Sequence, residues 1–141
     1  MSNKIVIDTS VLVSALIGKR GASREVLRIC LLGEYKPLIS NALFTEYEDL
    51  ISRERIKKSC PLTDKEVREL VNALYSVAKW IPVYFLWRPN LPDENDNFLI
   101  ELAVAGNATK IVTNNVKDLA GAELKFESLD IVTPQQILRG K

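Results

Sequence analysis

The stretch Lys4-Ile5-Val6-Ile7-Asp8-Thr9-Ser10, running on through Val11 to Ile17, decides the architecture. A strand with one wet face would alternate apolar and polar residues. An unbroken Ile-Val-Ile run reads instead as a strand buried on both faces. It stops at Asp8-Thr9-Ser10, and the apolar residues that follow, ending at Gly18, read as a helix. The same unit recurs. Lys36 to Ile39 is a second short strand, with Ser40 and Asn41 available to cap a helix from about Ala42 to Arg53. Trp80 to Phe85, Lys110 to Thr113 and Leu129 to Thr133 supply the third, fourth and fifth strands. Between them, Ser23 is a good N-cap for a helix from Arg24 to Leu32. Asp64 to Lys79 sets Val67, Leu70, Val71 and Leu74 on one helical face. Asn95 to Ala105 reads as a helix ending at Gly106, Asn114 to Leu119 as a turn or short helix, and Pro134 opens a last helix. Strands alternating with helices predict an α/β fold of three layers, with a parallel sheet of about five strands between two layers of helices.

Residues 1 to 141 are expected to form a single domain, with no repeat, low-complexity tract or linker. The chain is 47% apolar and 26% charged, as in an ordinary soluble protein. No segment approaches the roughly 20 apolar residues of a membrane span, and Met-Ser-Asn-Lys leads straight into the first strand without a leader. A cytoplasmic protein is expected. The net charge of +1 means that any basic surface is local. Cys30 and Cys60 form no CxxC pattern and read as free thiols. The chain contains no histidine. That excludes Ser-His-Asp and Cys-His catalysis and His-ligated zinc. Carboxylates, hydroxyls, lysines or a bound metal must carry any chemistry.

In an open α/β sheet, ligands collect beyond the carboxyl ends of the strands. Asp8 follows the first strand directly. Alone it could be a helix cap, a task that Thr9 or Ser10 could equally fill. Glu46 stands three residues after Leu43 and four before Leu50, on the apolar face of its helix, whereas Glu48 and Asp49 fall towards solvent. After the third strand comes Pro92-Asp93-Glu94-Asn95-Asp96. Asp93 could cap the next helix, while Asp96 lies three before Leu99 and seven before Ala103, towards the core. Thr113-Asn114-Asn115 and then Asp118 follow the fourth strand. Read alone, they make a turn. Together, the sheet topology gathers several acids at one edge. Two bare carboxylates about 4 Å apart repel by roughly 4 kcal/mol at an effective dielectric near 20, and a cation relieves this. Ligation by oxygen alone suits Mg²⁺ or Mn²⁺, ions that carry phosphoryl chemistry.

With these residues in place, the sequence resembles the PIN-domain proteins, and in particular the small VapC-like toxins of prokaryotic toxin–antitoxin pairs. The segments that carry the resemblance are Ile5 to Ser10; Ile39-Ser40 with Leu43-Phe44-Thr45-Glu46; Pro92 to Leu99; and Ala108 with Ile111 to Asn115. They occur in family order over roughly residues 4 to 133. The resemblance implies a Rossmann-like sheet of order 3-2-1-4-5 and cleavage of RNA dependent on Mg²⁺ or Mn²⁺. It implies Asp8, Glu46 and Asp96 as the catalytic and metal-binding acids, with Asp93 as a further acidic position. Thr9, Ser10, Thr113 and Asn114 would support them. Many relatives carry an aspartate where Asn114 and Asn115 stand here, so Asn115 or the later Asp118 would fill that corner. An antitoxin partner and a homodimer are also implied.

Basic residues that could meet the RNA backbone are Lys19, Arg20, Arg24, Arg53, Arg55, Lys57 and Lys58. Tyr84 and Trp87 could stack on bases. Two other readings compete. One is a PIN fold that binds RNA or a partner without cutting, suggested by the two asparagines. The other is an aspartyl-phosphate protein. The phosphatase version of that pattern wants an aspartate where Ser10 stands.

Overall fold

The computed structural model describes residues 3–18, 21–83, 97–116 and 129–139. Five strands form one sheet: β1 (Lys4–Ile7), β2 (Lys36–Ile39), β3 (Lys79–Trp80), β4 (Lys110–Val112) and β5 (Asp130–Val132). Their order is β3-β2-β1-β4-β5, and every neighbouring pair is parallel. The helices are α1 (Thr9–Ile17), α2 (Gly21–Leu31), α3 (Asn41–Ser52), α4 (Glu54–Ser59), α5 (Asp64–Val77), α6 (Asn97–Ala105) and α7 (Pro134–Arg139).

β1 is the central strand, and its composition explains why. Successive side chains of a strand point to opposite faces. Ile5, Val6 and Ile7 are all buried, so both faces of the strand are covered. β1 pairs with β4 through Ile5↔Lys110, Val6↔Ile111 and Ile7↔Val112, and with β2 through Lys4↔Lys36 and Ile5↔Pro37. Leu38, Ile39, Ile111 and Val112 continue the core on either side. Cys30 lies within it, and burial pushes its thiol up to about 12. Among the described residues no helix is long and apolar enough to cross a membrane.

Several elements depart from the sequence expectation, each for a local reason. Ser23 is not a cap: α2 already begins at Gly21, and Ser23 is fully buried on the face shared by Val26, Leu27 and Cys30. The basic stretch after Arg53 folds as α4, with Glu54 in its first turn and Lys57 and Lys58 in its last, charges that suit the helix dipole. α5 ends at Val77, since Lys79 has joined the sheet. Its start is fixed by a capping box between Thr63 and Glu66. The third strand is shorter than Trp80 to Phe85. It comprises Lys79 and Trp80, and although the Ile81 amide still donates to the Ile39 carbonyl, Pro82 has no amide with which to continue.

Candidate active site

β2, β1 and β4 are adjacent and parallel, so their carboxyl ends meet at one edge of the sheet. The residues that leave those ends are Ser40, Asp8 and Thr113. Asp8 stands at the N-cap position of α1 with extended backbone, and its carbonyl accepts from the amides of Val11 and Leu12. Its side chain makes no capping bond. The carboxylate turns instead towards hydroxyls. Oδ2 accepts from Thr113 Oγ1 at 2.6 Å and from Ser10 Oγ at 2.9 Å, and Oδ1 accepts from Thr9 Oγ1 at 3.3 Å.

The direction of these bonds is enforced. Ser10 Oγ accepts from the Asn114 amide at 3.1 Å, and Thr113 Oγ1 accepts from the Asn115 amide at 2.9 Å. Each hydroxyl therefore has its proton left for Asp8. Asn114 also donates its side-chain amide to the Ser10 carbonyl at 3.2 Å, lacing the turn after β4 to the start of α1. Asp8 is only 6% exposed, and it forms no ion pair with a Lys or Arg among the described residues. A carboxylate buried with hydroxyl partners alone is poorly compensated and favours a cation beside it.

Glu46 lies in α3, the helix that leaves β2 at that edge. Ser40 caps the helix by accepting from the Leu43 amide at 3.2 Å. The core stripe runs Leu43, Tyr47, Ile51, a spacing of four; Glu46 and Leu50 flank it half-buried rather than sharing it. Tyr47 sits in the core and donates its hydroxyl to the Ile7 carbonyl, at the end of β1. Burial raises the Tyr47 hydroxyl well above the usual tyrosine range, and the negative charge of Asp8 adds to this, so it remains a donor.

Glu48 is not the solvated residue that helical phase suggested. It receives both Arg68 nitrogens, at 2.8 and 3.0 Å, and the Tyr75 hydroxyl at 2.7 Å, tying α3 to α5. The Arg68 hydrogen bonds hold its carboxyl below the usual range, against an opposing push from burial. A lowered folded value stabilises above the unfolded value of 4.5 and is lost as pH falls through the folded one. Because Arg68 is half exposed, we expect Glu48→Gln to cost only about 1 kcal/mol in urea unfolding at pH 7, and less at pH 3. An equal cost at both pH values would contradict the ion-pair origin. Asp49 is exposed and pairs with Arg53.

The other expected site residues divide into two groups. Asp93, Asp96, Asp118, Lys19, Arg20, Tyr84 and Trp87 lie outside the described residues. Among the described ones, no cluster of three Asp, Glu, Cys or His residues comes within metal-binding range. The expected basic residues that are described belong near the far ends of α1 and α3 or to α4. Arg24 donates to the carbonyl of Ala15, in the last turns of α1, and Arg53 follows the end of α3. At about 1.5 Å of rise per residue, Ala15 lies roughly 10 Å down α1 from Asp8, and Arg53 as far down α3 from Glu46. Arg55, Lys57 and Lys58 continue beyond, on α4, where Lys57 pairs with Asp64 at 3.8 Å. One acid was missed altogether. Glu101 is 3% exposed in α6, between the buried Ile100 and Leu102, and α6 packs on β1, β2 and β4. The signal was available: a single charge inside the run Phe98 to Val104.

A family model described as the PIN domain matches residues 4–117. The chain belongs to the PIN-domain family. Its architecture also matches a solved structure, the crystal structure of VapBC2 from Rickettsia felis bound to a DNA fragment from their promoter, with a TM-score of 0.59. That match covers 92% of this PIN domain chain and 98% of the other, at 16% identity, so the likeness is one of fold. No curated protein matches. PIN domains are generally nucleases, and they usually use divalent metals. The donors available in this PIN domain are of the chemical kind such an ion takes. Asp8 and Glu46 offer oxygen, there is no histidine, and the thiols are engaged elsewhere: Cys30 is in the core, and Cys60 Sγ donates to the Leu16 carbonyl.

Proposed function

We propose that the chain is a metal-dependent endoribonuclease that hydrolyses RNA phosphodiester bonds, acting as the toxin of a toxin–antitoxin pair. One observation carries the reading: Asp8 is a buried carboxylate at a helix start that does not cap the helix, is held by hydroxyls, and has no cationic side chain paired with it among the described residues. Asp8, Glu46 and Asp96 would hold one Mg²⁺ or Mn²⁺, with Asp93, Asn115 or Asp118 assisting. When bound, the ion supplies positive charge that shields the phosphate and acidifies water. The protein's own part is to fix the carboxylates. Thr9, Ser10 and Thr113 orient Asp8, and Asn114 holds Ser10. The likeness to VapBC2 supports the toxin reading, with a cognate antitoxin as partner; a homodimer belongs to the same reading.

The test is cleavage of labelled single-stranded RNA by the purified protein. Products should appear with Mn²⁺ or Mg²⁺, stop on addition of EDTA, and return when metal is restored. A second reading, a PIN fold that binds RNA or a partner without cutting it, draws on one observation: an amide rather than a carboxylate follows the fourth strand at Asn114, and its side chain is committed to Ser10. Affinity for RNA without turnover at any metal concentration would favour that reading over the nuclease.

A further inference from the structure

Tyr47 follows Glu46 in sequence, and its hydroxyl donates to the carbonyl of Ile7, which precedes Asp8. A single hydrogen bond between residues 40 positions apart therefore joins the two elements that carry the two acids. The bond lies where the sheet can no longer supply one. The β1–β2 register runs through Lys4↔Lys36 and Ile5↔Pro37, and β2 gives way to the α3 cap at Ser40. On its other side β1 is still held, because the Asp8 amide donates to the Val112 carbonyl at 2.9 Å. The Ile7 carbonyl is left to α3, and Tyr47 answers it.

The ring is itself fixed. Tyr47 is 1% exposed and stacks on Tyr75 with centroids 6.5 Å apart, and Tyr75 packs against Phe44 and Trp80. Neither α3 nor the end of β1 can shift without breaking a buried hydrogen bond.

We infer that Tyr47 is a positioning residue, a staple that sets the spacing between Asp8 and Glu46 for a divalent cation. This rests on the metal-dependent reading above. Tyr47→Phe keeps the ring and removes the staple. Partners that orient metal ligands typically contribute 10-fold to 100-fold in affinity, so Y47F should bind Mn²⁺ at least roughly tenfold more weakly, as read by electron paramagnetic resonance titration of free Mn²⁺. Tyr75→Phe is the control. It removes a hydroxyl from the same aromatic cluster, one that serves Glu48 and not β1, and should leave Mn²⁺ affinity unchanged. Equal affinity of Y47F and wild type, or equal weakening by Y75F, overturns the positioning role alone. Failure of the wild-type protein to take up Mn²⁺ in the same titration overturns the metal reading and the staple with it. A measurement on the wild type needs no variant: Mn²⁺ should slow amide exchange at the end of β1 and in the Tyr47 turn of α3 together. Protection confined to one of the two segments also overturns the inference.

Discussion

Asp8→Asn should abolish metal-dependent cleavage while leaving the fold at least as stable as before. The reasoning follows from the surroundings of the carboxylate. The amide oxygen of the asparagine can stand in for Oδ2 and accept from Thr113 and Ser10, while its NH2 can donate to the Thr9 hydroxyl, so an amide of the same shape finds bonds in the same place. Removing the charge also removes a buried anion that has no cationic side chain paired with it among the described residues. In EDTA, D8N should unfold within about 1 kcal/mol of wild type or above it. A loss of at least about a hundredfold in cleavage rate corresponds to roughly 2.7 kcal/mol of transition-state stabilisation. The two proteins should also part on adding Mn²⁺. Wild type should gain about 2.7 kcal/mol at a hundredfold excess over its dissociation constant, and D8N should gain almost nothing. Purified D8N cutting RNA at the wild-type rate would remove Asp8 from the mechanism.

Thr113→Val should be the most destabilising conservative change at the site. Valine fits the β-branched space at the end of β4 and packs as well. What is lost is a fully buried hydroxyl that donates to Asp8 at 2.6 Å while accepting from the Asn115 amide. Leaving a buried charged acceptor short of a donor costs about 2–3 kcal/mol, against the small cost of a neutral swap. For a chain of this length that is a fall of roughly 5–10 °C in Tm, measured in EDTA. The cost should shrink in the D8N background, where no charge is stranded, with a coupling of about 1 kcal/mol or more. Wild-type stability of T113V, or full additivity with D8N, would mean that the hydroxyl does not hold the carboxylate.

The sheet was legible because its strands are unbroken apolar runs. Lys4 to Ile7 and Lys36 to Ile39 occupy the expected residues, and the order 3-2-1-4-5, which the PIN-domain resemblance and not the apolar runs implied, is the one found. What was illegible depends on contacts between elements. Helical phase from Leu43 and Leu50 put Glu46 on the buried face, but the aromatic cluster around Tyr75 pulls Tyr47 inward and turns Glu46 to the flank. Glu48 looked solvated because Arg68, its partner, lies 20 residues away on α5. At the candidate site, Thr9 and Ser10 are neighbours of Asp8 in sequence and could be anticipated. The bonds from Thr113 and from Asn114 exist only because β4 lies beside β1. Tyr47 draws no notice in the sequence, because its hydroxyl bond to Ile7 joins residues 40 positions apart.

The 105-residue separation between Thr113 and Asp8 also has a bearing on when the chain becomes chemically competent. During synthesis β1, α1, β2 and α3 emerge first, and they can associate while the ribosome is still translating. The hydroxyl that clasps Asp8 cannot arrive until β4 has been made and inserted beside β1, late in translation. A growing chain therefore carries its acids without the clamp that aims them. Under the ribonuclease reading proposed above, the site is completed only late in synthesis.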